Sequence, residues 1–207
     1  MTTPAPEHLF TTIAKRGRAS GVTRMDYQQA AKWFRDEARK VRRVNVNTMI
    51  NEAPANRTFK RMDSSAIGEM CMFFYDAKGK KTLPYWDQVP LIFVVDDTDP
   101  QHFNGINLHY LSPYRRAQLM DALYKIAEKH DDKIVRLKLS YKVLKASSEF
   151  SFFKPCFKSY LKSRVKSRFL YVAPKMWDHA ALLPTQRFVG ATAEKVWRDS
   201  NKTIRGG

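Results

Sequence analysis

The sequence predicts an α+β protein, with a small, mainly antiparallel β-sheet or barrel core over residues 68–144 flanked by helices. Three observations carry that prediction. Three β-patterned stretches follow one another between Gly68 and Leu111, separated by turn residues. Amphipathic helical patterns stand on both sides of them. Charge is also distributed as if around a core. Residues 63–153 carry 12 Lys/Arg against 12 Asp/Glu, residues 1–62 carry 13 against 5, and residues 154–207 carry 12 against 3.

Gly68 to Tyr75 reads as an aromatic-rich strand bounded by the turn-forming Asp76-Ala77-Lys78-Gly79. Val89 to Val95 is a nearly continuous apolar run, the pattern of a strand covered on both faces. It stops at Asp96, Asp97, Thr98, Asp99 and Pro100, residues that favour turns. Phe103 to Leu111 alternates, placing Ile106, Leu108 and Tyr110 on one face and Asn107 and His109 on the other. Arg136 to Leu144 alternates again and reads as a further strand with a basic outer face.

The flanks are helical and basic. Residues 1–25 read as a flexible basic arm, and residues 26–62 as a basic helix (Asp26 to Arg43) with a polar linker. Tyr27, Ala30, Ala31, Phe34, Ala38 and Val41 give that helix one apolar stripe. Residues 63–200 form the core domain, and residues 201–207 a frayed tail. Within the core domain, Ser112-Pro113 opens a second helix running to about His130, with Leu119, Met120, Leu123, Ile126 and Ala127 on its buried side. Pro155 to Phe169 reads as a third, with Phe157, Tyr160, Leu161 and Val165 inward and Lys158, Lys162 and Lys166 in a row outward. Like charges four apart repel on a helix, so this row calls for an anion. Leu170 to Ala173 reads as a short strand, and Ala193 to Ser200 as a last short helix carrying Trp197.

The totals exclude several classes. With 43% apolar residues and 13 Phe, the chain can bury a core. No stretch approaches the roughly 18 apolar residues of a membrane span, so no membrane partner is expected. The start, MTTPAPEHLF, lacks a signal-peptide pattern, so the product is expected to be soluble and intracellular. Cys71 and Cys156 then read as buried free thiols. A net charge of +17 concentrated at two ends points to a polyanion. No Cys-x-x-Cys, His-Glu-x-x-His or phosphate-cradling loop occurs, and no metal or other cofactor is expected. Asp96, Asp97 and Asp99 read as a solvated turn, and His109 as a hydrogen-bonded structural histidine. A non-enzymatic protein is the outcome. Among the central aromatics, Tyr85 and Trp86 beside Pro84 are the pair expected to be partly exposed, which leaves open a single-strand stacking platform.

Three passages carry a resemblance: MFFYDAKGKKTLPYWDQVPLIFVVD (Met72 to Asp96), FNGINLHYLSPYRRAQLMDALY (Phe103 to Tyr124) and SRFLYVAPKMWDHAALLPTQRFVGATAEKVWRDS (Ser167 to Ser200). They resemble the DNA end protector family of T-even-type contractile-tailed bacteriophages, over most of the chain from about Met70 to Ser200. Trp86 departs from the Leu-Pro-Tyr-Tyr-Asp pattern of that family. The resemblance implies a virion protein, assembled in the host cytoplasm, that shields the end of packaged double-stranded DNA and helps complete the head at the neck. It brings no catalytic residues. Other virion proteins of the neck, portal or tail are the further partners it implies. A structural component whose basic flanks meet acidic neighbouring subunits is the alternative.

Charge and spacing nominate the DNA-binding residues. They are Lys15, Arg16 and Arg18 on the arm, and Lys32, Arg35, Arg39, Lys40, Arg42 and Arg43 on the first helix. Lys158, Lys162, Arg164, Lys166 and Arg168 complete the set on the third.

Overall fold

A computed structural model describes residues 58–59, 62, 66–97, 99–128, 153–172, 177–182 and 184–206. The segments expected to form the arm (1–25), the helix over 26–43, the linker and the strand over 136–144 lie outside the described residues, apart from the few given above. In chain order the strands are β1 (Thr58–Phe59), β2 (Met70–Met72), β3 (Trp86–Asp87), β4 (Leu91–Asp96) and β5 (His102–Asn107). Helix α1 (Pro113–Glu128), a single turn α2 (Phe153–Cys156), β6 (Phe157–Leu161) and β7 (Phe169–Val172) follow. Helix α3 (Trp177–Leu182), β8 (Phe188–Val189) and α4 (Ala193–Arg205) complete the chain.

Six strands form one open sheet in the order β1-β7-β2-β4-β5-β6, and β3 pairs with β8 in a separate ribbon. Every strand pairing is antiparallel. The α+β class therefore stands, as a sheet whose ends do not close into a barrel. The expected meander is its centre: Cys71 pairs with Ile92, and Phe93 with Ile106.

Strand β4 explains the layering. Its apolar run is buried on both faces, as expected. Leu91, Phe93 and Val95 join Met70, Ile106, Val172 and the helices on one side, while Ile92 and Val94 join Cys71, Phe73, Phe103, Tyr160 and Phe169 on the other. On the helix side Trp177 stands edge-on to Phe93 at 4.9 Å and donates its indole N–H to the Val172 carbonyl. On the far side Phe103 and Tyr160 stack at 5.3 Å, with Phe73 edge-on to both. Cys71 and Cys156 are buried and form no disulfide, and burial pushes both thiols up.

Three expectations change in the structure. Pro155 to Phe169 is not a helix. After α2 the chain runs as β6 beside β5, makes a 3-10 turn at Lys162–Arg164 and returns as β7. The physical reason is the repulsion already noted: a helix would stack cations four apart, whereas β6 spreads them and places Tyr160 on Phe103. The alternating strand over 103–111 stops at Asn107, because its side chain accepts the His109 N–H and turns the chain into a 3-10 turn at Leu108–Tyr110. The last helix runs on to Arg205, since Ile204 continues the buried stripe of Val196, Trp197 and Ser200. Lys202 and Arg205 thus belong to a helix end, where cations suit the dipole. The second helix forms as expected from Pro113, with the Ser112 carbonyl accepting from Arg116 N–H.

A buried polar cluster ties these layers together. Asp87 Oδ2 accepts from His109 Nδ1 at 2.7 Å and from Asn107 Nδ2 at 3.2 Å. Its Oδ1 accepts the Val89 and Arg187 backbone N–H groups at 3.1 and 3.2 Å. His109 Nε2 accepts the Thr185 hydroxyl at 2.9 Å, and the His109 carbonyl accepts from Trp197 Nε1 at 2.9 Å. One carboxylate with four donors thereby joins the β3–β8 ribbon to the end of β5 and, through His109, to α4. Arg116, fully buried, similarly links α1 to α3 by donating to the Leu111 and Ala181 carbonyls and to Gln186.

Burial holds His109 below its ordinary 6.5 despite the Asp87 charge beside it, so the ring is neutral in the fold. Burial pushes Asp87 up, but His109, Asn107 and the Val89 N–H outweigh it, and the carboxyl is held below its ordinary 3.8. In both cases the unfolded chain takes up a proton that the fold refuses, so stability falls as pH drops. The loss should begin below about pH 6.5 and steepen below about 3.8, read as the urea midpoint against pH. Asp87→Asn should cost about 3 kcal/mol in the same assay, because it turns an amide donor on to buried donors. Gly105→Ala should cost about 1–3 kcal/mol by overpacking. A Cβ there would lie 2.6 Å from Ile92 Cδ1 and 3.0 Å from the Phe93 carbonyl oxygen.

Candidate nucleic-acid interface

Beyond Met72 the chain stays extended to Asp76 and runs beside residues 164–168. Tyr75 bridges Val165, Lys166 N–H donates to the Phe74 carbonyl at 2.8 Å, and Asp76 N–H donates to the Arg164 carbonyl at 3.0 Å. Phe74 N–H donates to Ser167 Oγ at 2.8 Å. This register sets Phe74 opposite Lys166 and Asp76 opposite Arg164 on one face, and turns Tyr75 and Val165 to the other. The inward pair packs on the aromatic core, where Tyr75 meets Tyr160 edge-on at 5.0 Å.

The outward face is basic. After Asp76 the chain turns at residues 78–82, with Thr82 and Leu83 N–H groups donating to the Gly79 carbonyl. The turn carries Lys78, Lys80 and Lys81, all exposed. Asp76 pairs with Lys80. The Lys80 hydrogen bond, then the charges of Lys80, Lys166 and Arg164, hold the Asp76 carboxyl below the usual range. Lys166 and Arg168 are exposed and Arg164 is half-buried. Six cations on two neighbouring segments are thus offset by one acid, and that acid is already engaged. An exposed phosphate would find donors here.

The remaining nominated residues are placed differently. Lys158 lies on β6 with Nζ 4.0 Å from the Tyr110 ring centroid, and burial lowers its pKa. Lys162 pairs with Asp97 at 2.8 Å. The supposed row of three therefore divides: one lysine against a ring, one against a carboxylate, and Lys166 facing solvent. Lys15, Arg16, Arg18, Lys32, Arg35, Arg39, Lys40, Arg42 and Arg43 lie outside the described residues. In the sequence Lys78, Lys80 and Lys81 read as part of a plain turn, with no binding signal of their own. The signal lay in the opposite strand, some ninety residues away in the chain.

The other candidates have local partners. Asp99 accepts the Gln101 and His102 backbone N–H groups, Asp97 pairs with Lys162, and Asn104 reaches Asp96. Among the described residues, no three His, Cys, Asp or Glu side chains converge as metal ligands. Tyr85 and Trp86 are partly exposed, as expected, but Tyr85 packs against Tyr110 and Phe188 at 6.1 and 6.3 Å. No described helix is long and apolar enough to cross a membrane.

A family model described as the Phage T4 terminal DNA protecting protein matches residues 11–200, which also takes in most of the basic segment before the sheet. No curated protein and no solved structure matches the chain. The match spans well over half of the sequence and agrees with the resemblance carried by the Met72–Asp96, Phe103–Tyr124 and Ser167–Ser200 passages. The chain belongs to the Phage T4 terminal DNA protecting protein family.

Proposed function

We propose that the protein binds the end of packaged double-stranded DNA in the virion and shields it from exonucleases, at the head–tail connection and without catalysis. What supports this reading most is the outward face where the 78–82 turn and the 164–168 segment meet. It brings Lys80, Arg164 and Lys166 to the Asp76 carboxylate, with Lys78 and Lys81 exposed on the same turn and Arg168 exposed on the same segment. The family name supplies the ligand class. The cations between Lys15 and Arg43 add a second source of phosphate contacts, and Lys158 and Lys162 contribute where their present partners release them. Contacts of this kind fix a protein on DNA without reading bases, so binding is sequence-independent. Assembly in the host cytoplasm and contact with neck, portal or tail subunits follow from such a place in the particle.

Binding should weaken steeply with salt, because each neutralised phosphate releases counterions. Exchanging Arg164, Lys166 and Arg168 together for Glu should lower the log–log salt slope by about 3 and leave the melting temperature nearly unchanged. Equal slopes for the wild type and a folded triple variant would remove this face from the site. In a second assay, saturating protein should slow exonuclease digestion of linear duplex. Failure to bind linear duplex even at low salt would sink the reading as a whole.

A further inference from the structure

Phosphate contacts alone hold the middle of a duplex as well as its terminus. A terminus alone offers the open face of the last base pair, a flat π surface that aromatic side chains stack on whatever the base. We propose that Phe74 is the platform on which the terminal base pair of a blunt duplex stacks, with Lys166 holding its flanking phosphate. The inference rests on the DNA-end reading above and specifies how that site tells an end from an interior.

Phe74 is 52% exposed, whereas its neighbour Phe73 is 3% exposed and lies among Phe103, Tyr160 and Phe169. The alternation of the strand forces this outcome: with Phe73 and Tyr75 turned inward, Phe74 has to point to water. Its backbone is held at both polar groups, by Ser167 Oγ and by Lys166 N–H, each at 2.8 Å. The ring is thus mounted on paired, extended backbone and not on a loop. Lys166 stands opposite it across the pair, and Arg164 stands opposite Asp76 one step further on. The ring is apolar, but its surround is cationic, which suits a nucleic-acid end better than an apolar protein surface.

The other large apolar residues left in water fit less well. Leu83 is 44% exposed, but it is aliphatic and offers no ring to a base. Phe157 is 47% exposed on β6, where the adjacent Lys158 is turned to Tyr110.

The test uses the full chain and two DNAs of the same duplex body, one blunt-ended and one closed at both ends by hairpin loops. Titrations are run at fixed salt, with 2-aminopurine in the terminal pair of the blunt form. Wild type should prefer the blunt form and quench the terminal probe. Phe74→Ala should lose about tenfold in affinity for the blunt form and keep its affinity for the closed form. Phe74→Trp should retain the preference and the quenching. Lys166→Ala should weaken binding to both forms. Equal binding of the two DNAs by wild type, or equal losses on both in a folded Phe74→Ala variant, overturns the inference while DNA binding itself stands. Binding to neither DNA overturns the underlying reading with it. Thermal melts of each variant confirm the fold, since an exposed ring removes little buried area.

Discussion

The interaction on which the architecture depends is the hydrogen-bonded contact between Asp87 and His109, both almost wholly removed from water. A lone buried carboxylate is costly, and this one is tolerated because four donors surround it. Those donors come from three separate parts of the chain: the 87–89 segment, the end of β5, and Arg187 just before β8. Losing any one of them leaves the buried carboxylate less well satisfied. The β3–β8 ribbon buries little apolar area of its own, and this carboxylate fixes it to the larger sheet. Trp197, bonded to the His109 carbonyl, then orients α4 from the same point.

A sheet covered on both faces leaves its cations few places to go. The helix side is filled by Trp177, Leu108, Met120 and their neighbours, and the far side by an aromatic cluster. The cations therefore gather where the sheet thins out, beyond Met72 and before Phe169. There the strand pair continues by single bonds instead of a full ladder. This division of labour matches the charge profile of the chain: the apolar strands set the frame, and the basic residues occupy its margin.

How much of this was legible in the sequence varies with the range of the interactions. The Leu91–Val95 run announced a strand buried on both sides, because five apolar residues in succession leave no wet face. Ser112-Pro113 announced a helix start by local chemistry alone. The segment from Pro155 to Phe169 misled, because Phe157, Tyr160, Leu161 and Val165 also fit a helical spacing. What decided against the helix was the free edge of β5 and the ring of Phe103, both more than fifty residues distant. The pairing of His109 with Asp87 was equally hidden, although hydrogen bonding for that histidine was foreseen. Arg116, a buried cation among carbonyls, carries no sequence signal that separates it from the half-buried Arg115 beside it. The basic face shows the same limit, since its two halves meet only through the Tyr75–Val165 bridge.

The fate of the like-charge repulsion links stability to function. Along the 158–168 segment the fold disposes of it in three ways: distance along an extended strand, a ring beneath Lys158, and the Asp97 carboxylate beside Lys162. Lys158 and Lys162 are thus settled internally. On the face shared by the 78–82 turn and residues 164–168, Asp76 is the acid available, and Lys80 already engages it. The surplus there calls for ions from solution, and a polyphosphate would displace them. The physics that makes one part of the segment structural thus leaves the other part with charge that its own fold does not offset.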